Sequence, residues 1–167
     1  MRPRWTAALL AAIAVAVAAG LGRRAAHSRG VMPDIRLAAL GTGATVALNS
    51  CPTPTCLTVY VSPWCPHCRR SGPVIKAVAQ DARRRGITAR VIVGNDSEKA
   101  VRAYAAHFGA GTLLDPGALF SQDGVPTAYV SDAQGRIQSK IFGLPESAPP
   151  DDLAKLREIE RRDFGLP

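Results

Sequence analysis

The stretch YVSPWCPHCRR, residues 60 to 70, sets two cysteines three positions apart directly after an apolar run. Such a pair can be a structural staple, part of a metal clamp, or a redox centre that makes and breaks its own bond. A strand running straight into a helix at Cys65 would put that sulfur at the helix N-terminus. There, free backbone N–H groups and the positive end of the dipole stabilise a thiolate. Cys65 is then the nucleophile and Cys68, one turn further in, the resolving thiol. An imidazolium or hydrogen-bonding ring at His67 would add to that stabilisation. Whatever stabilises the thiolate stabilises the dithiol form, and so makes the corresponding disulfide a stronger oxidant.

Two other cysteines, Cys51 and Cys56, flank the proline-rich segment SCPTPTC. Cys65, Cys68 and His67 include soft donors that a metal ion could use. Reach argues against a four-thiolate site, because residues 57 to 64 run largely as a strand at about 3.3 Å each, which separates Cys56 from Cys65 by some 25 Å. Cys51 and Cys56 read most simply as a local disulfide, as expected in an oxidising compartment. No metal and no cofactor is expected.

The elements that must position these residues follow from periodicity. DIRLAALGTGATVAL reads as a small hairpin around Gly41 and Gly43. LTVYV, residues 57 to 61, is β-branched and aromatic, the pattern of a strand covered on both faces. Beyond Cys65, Val74, Ile75, Val78 and Ala82 keep helical spacing up to Gly86. ITARVIVG is a second central strand. Asn95 and Glu98 read as a capping box for EKAVRAYAAHFG. VPTAYVSDAQGRIQSKIFG gives two strands joined by a turn at Asp132 to Gly135, and PPDDLAKLREIERR a closing helix. The class is α/β, a mixed sheet flanked by helices.

These features together resemble the thioredoxin superfamily. WCPHC resembles its Trp-Cys-X-X-Cys site, Pro73 the proline of its active-site helix, GVPTAYV its cis-proline loop, and Gly143 the glycine after its last strand. The resemblance covers roughly residues 33 to 162. It implies a thioredoxin-like fold, thiol-disulfide exchange with protein thiols or disulfides, and substrate contacts at Trp64, Val125 and Pro126. The N-terminal hairpin and the extra strand-helix unit RVIVGNDSEKAVRAYAAHFG are similar to the extracytoplasmic TlpA/ResA-like branch, whereas Pro66-His67 and GVP resemble the oxidising DsbA type without its helical insertion. Val59 stands where thioredoxins often carry a buried Asp. Asp96 falls near the Glu of TlpA/ResA-like proteins and is a candidate proton relay, with a first-turn helix acid as the plainer reading.

The 167 residues are 47% apolar and carry a net charge of +8. Four of the 21 Lys and Arg but none of the 13 Asp and Glu lie in residues 1 to 24, which leaves +4 for the remainder and does not argue for nucleic acid. Arg83-Arg84-Arg85 reads as a solvated helix terminus. Residues 5 to 22 are uncharged and flanked by arginines, which makes residues 1–24 a membrane anchor or, with cleavage near Ala16-Val17-Ala18, an export signal. Residues 25–32 read as a linker and 33–167 as the domain. The expected location is extracytoplasmic, in the periplasm or on the outer face of the inner membrane, as a monomer with a membrane redox partner.

Overall fold

The computed structural model of the chain describes residues 30–120 and 122–167, so the expected anchor or signal lies outside the described residues. Among the described residues no helix is long and apolar enough to cross a membrane. The strands are β1 (Arg36–Ala39), β2 (Thr45–Ala47), β3 (Thr55–Val61), β4 (Thr88–Gly94), β5 (Leu113–Asp115), β6 (Thr127–Asp132) and β7 (Ile137–Phe142). The helices are α1 (Pro66–Arg84), α2 (Glu98–Ala105) and α3 (Leu153–Asp163).

The strands form one mixed sheet in the order β2-β1-β5-β4-β3-β6-β7. β3, β4 and β5 are parallel, as the crossovers through α1 and α2 require, and β1 and β6 flank them antiparallel. β3 lies between β4 and β6 with every residue from Cys56 to Val61 buried, which its unbroken apolar and β-branched sequence anticipates. Its side chains alternate between two cores. Leu57, Val59 and Val61 pack beneath the helices with Val74, Ile75, Val78 from α1, Val101 from α2 and Leu156 from α3. Tyr60 faces the other way, into a cluster with Leu37, Ile92, Phe120 and Tyr129 to which no helix contributes. Loop and bridge residues, Met32, Leu48 and Phe120, cover that second face.

Three sequence expectations are corrected. The N-cap of α2 is Ser97, whose hydroxyl accepts from the Ala100 N–H at 3.3 Å, and Asn95 takes a left-handed φ of 56° two residues earlier. β5 is a strand that the periodicity did not show, because three residues cannot display an alternation. The basic run at the end of α1 is only partly solvated: Arg83 donates to the Ala89 carbonyl, and Arg85 reaches buried Glu160 at 2.8 Å. In the span read as a linker, Val31 forms a β-bridge with Arg136 and Met32 is buried.

Candidate active site

Pro66 opens α1, where a missing N–H costs nothing because the first turn has no intrahelical acceptor for it. Cys65 is therefore the N-cap, with extended φ and ψ of −83° and 112°. Its Sγ accepts from the Cys68 backbone N–H at 3.2 Å, one of the four donors that a helix start leaves unpaired. A sulfur held this way gains most from the bond when it carries negative charge. The two thiols are free and differ in setting. Cys65 is 5% exposed, whereas Cys68 is fully enclosed, and burial, followed by the neighbouring Cys65 sulfur, pushes the Cys68 thiol well above the ordinary thiol range.

Facing Cys65 is the loop before β6. Its Val125–Pro126 peptide is cis, and the Val125 carbonyl accepts from Cys65 Sγ at 3.6 Å. Two contacts hold the loop: Thr127 Oγ1 donates to the Gly124 carbonyl at 2.7 Å, and the Gly143 N–H donates to the Pro126 carbonyl at 3.1 Å. Gly143 makes this contact with φ 77°, a left-handed conformation that favours glycine. Gly124 lets the exposed Phe142 ring lie against the loop, since a Cβ there would displace that ring.

Trp64 is 53% exposed beside Cys65, and its Nε1 donates to the Asn95 carbonyl at 2.8 Å, tying the approach to the site onto the end of β4. Trp64, Cys65, Val125 and Pro126 thus come together at one end of the sheet. The Asp96 carboxylate accepts from the Ser97 N–H, and among the described residues no hydrogen bond links it to either cysteine. His67 is two residues from Cys65 in sequence, but its ring is held by other partners. Its Nε2 lies 2.6 Å from the Leu144 carbonyl and its Nδ1 3.2 Å from Glu146. Arg70 grips the same carboxylate through two N–H groups and holds it below the usual carboxylate range.

Sequence reasoning missed several of these residues. Phe142, 65% exposed, extends the apolar surface beside the Val125-Pro126 loop, and the signal for it was an aromatic residue at a strand end just before Gly143. Glu146 and Leu144, which position His67, lie in a loop with no local pattern. Tyr104, from α2, donates to the Cys68 carbonyl at 2.8 Å and couples the inserted helix to the active-site helix.

Cys51 and Cys56 form a disulfide with a Cα–Cα distance of 5.8 Å at the opposite end of β3. Around it, Arg90 donates to the Ser50 carbonyl and the Thr53 hydroxyl binds Thr88.

No protein-family model matches the chain, and no curated protein matches it by sequence. Solved structures do match. The thioredoxin domain of a thiol-disulfide oxidoreductase from Bacteroides vulgatus superposes with a TM-score of 0.59 at 20% identity, covering 78% of this chain and 95% of that one. The fold is thioredoxin-like. A secreted Mycobacterium tuberculosis disulfide oxidoreductase homologous to E. coli DsbE gives a TM-score of 0.56 at 16% identity over 80% of this chain and 96% of that one. A thioredoxin-family thiol:disulfide interchange protein from Chlorobium tepidum gives 0.54 at 21% over 81% and 96%. At these identities the likeness is one of fold, and the chemistry rests on the site.

Proposed function

We propose that the protein is an extracytoplasmic thiol-disulfide oxidoreductase that exchanges disulfides with protein substrates through Cys65 and Cys68, working mainly as an oxidant. The observation that carries this reading is the asymmetry of the pair. Cys65 caps a helix, with an N–H on its sulfur and a loop carbonyl opposite, while Cys68 is sealed beneath it with its thiol pushed up.

In the oxidising direction a substrate thiolate attacks Cys65 Sγ of the Cys65–Cys68 bond, and Cys68 leaves as a thiolate and takes up a proton. Its enclosed setting favours that protonation. A second substrate thiolate then attacks the substrate sulfur of the mixed disulfide, and Cys65 departs, stabilised by the Cys68 N–H. Two electrons pass from the substrate to the cysteine pair, and a membrane oxidant would take them on. Trp64, Val125, Pro126 and Phe142 offer an apolar ledge for an extended segment of substrate, and backbone groups of the cis-proline loop offer it hydrogen bonds. His67 acts through its hold on the first turn of α1.

The alternative is a reductase of the cytochrome-maturation type, which the TlpA/ResA-like layout favours. Equilibration of the protein against glutathione separates the two. A potential above roughly −200 mV, towards the about −120 mV of DsbA, is expected for an oxidant. A value at or below about −270 mV, that of thioredoxin, would make the protein a reductase.

A further inference from the structure

A cleft of about 750 Å³ opens between α1 and α2. Its floor and walls are apolar: Pro63, Pro73, Tyr104 and Phe108, with the two rings packed edge to face at 5.5 Å. Gly72 keeps the floor deep, since a Cβ there would stand 3.6 Å from the Tyr104 hydroxyl and 4.0 Å from the Phe108 ring. The volume lies within the range of about 300–1,000 Å³ typical of small-molecule sites.

The rim has one sign of charge. Arg69 and Lys76 project from α1 and His107 follows α2, and no carboxylate is among the residues lining the cleft. Arg69 is held in place by its Nε, which donates to the Pro63 carbonyl at 2.9 Å. The Arg69 and Lys76 cations over low-dielectric walls, with no carboxylate lining the cleft among the described residues, focus a positive field into it. An apolar floor under such a field suits a ligand with a hydrocarbon body and an anionic head.

We propose that this cleft binds a small amphipathic anion, a carboxylate or sulfonate on an aromatic or branched apolar body. The site is separate from the disulfide exchange at Cys65 and does not depend on that reading. Tyr104 connects the two, since its ring lines the cleft and its hydroxyl holds the Cys68 carbonyl.

Calorimetric titration of the full-length chain with 4-phenylbutyrate tests it, with the uncharged 4-phenylbutan-1-ol as comparator. The expected result is one site per chain that takes the acid at least about tenfold more tightly than the alcohol, a difference of about 1.4 kcal/mol. Lys76→Glu removes the preference for the acid, and Ala103→Trp, at an exposed lining position, blocks both ligands. Saturable binding that neither variant weakens, equal affinity for acid and alcohol, or no saturable binding at all would overturn the proposal. Should Ala103→Trp not fold by circular dichroism, the surface change Lys76→Glu decides alone.

Discussion

β3 carries a cysteine pair at each end, and the two ends use sulfur in opposite ways. Beyond its C-terminus Cys65 and Cys68 are free thiols at a helix start, with few polar partners and the exposed rings of Trp64 and Phe142 on the same side of the fold. At its N-terminus Cys51 and Cys56 are joined within a loop whose neighbours are pinned: Arg90 to the Ser50 carbonyl, Thr53 to Thr88, and the Cys51 N–H to the Ala133 carbonyl. The same end gathers buried charge, with Asp81 and Glu160 between Arg84, Arg85 and Arg157 where α3 docks on α1. Reactivity follows from the helix start, and rigidity from cross-linking and ion pairing. One element separates them.

The largest expected effect is at the reactive end. Cys65→Ala should reduce disulfide exchange to the uncatalysed rate, while Cys68→Ala, given a disulfide-bonded substrate, should accumulate the mixed disulfide formed when the Cys65 thiolate attacks it, visible by mass spectrometry, because the Cys68 thiol is no longer there to displace the substrate. Appreciable turnover in Cys65→Ala would erase the distinction between the ends. Next in size, the double change Cys51→Ala with Cys56→Ala should lower the stability measured in urea by about 2 kcal/mol, the loop entropy of so short a closure. Turnover at Cys65 should hardly change. Loss of turnover with an intact circular dichroism spectrum would make the second pair an electron relay.

The smallest effect sharpens the electrostatics of the rigid end. Burial, more than the opposing pull of Arg85, holds the Glu160 carboxyl above its ordinary value of 4.5. The folded chain therefore keeps a proton that the unfolded chain gives up. The stability from this group is complete below about pH 4.5 and declines as the pH rises through the folded value. Glu160→Gln should flatten the dependence of the urea midpoint on pH above 4.5, with no change in reduction potential. Parallel pH profiles for the parent and the variant would show that the buried charge stores nothing.

The two ends were also unequally legible in the sequence. The reactive end is encoded locally: an apolar strand, Cys-Pro-His-Cys and Val-Pro each announce their geometry within a few residues, and the structure brings them together. What depends on distant partners was hidden. His67 takes its partners from Leu144 and Glu146, more than 75 residues on, so no spacing rule could predict that its ring turns to them. β5 exists because β1 and β4 offer it pairing on both sides, not because three residues favour extension. The cap of α2 slipped from Asn95 to Ser97 because Asn95 spends its conformational tolerance on a left-handed turn that also offers its carbonyl to Trp64. At the rigid end the short disulfide was readable, but the role of Arg85 required knowing where α3 returns.

The β-bridge between Val31 and Arg136 fixes where the chain enters the domain. It attaches the incoming chain beside the Asp132–Gly135 turn, at the end of the sheet that contains Cys51 and Cys56. Seven residues of β3, roughly 23 Å at about 3.3 Å each, then separate that point from the start of the Cys65 site. A tether upstream of residue 30 would leave the stapled pole to bear the load and hold the reactive sulfur outward, like the tip of a probe. Partners would meet it end-on, and its collisions with them would leave the mooring undisturbed.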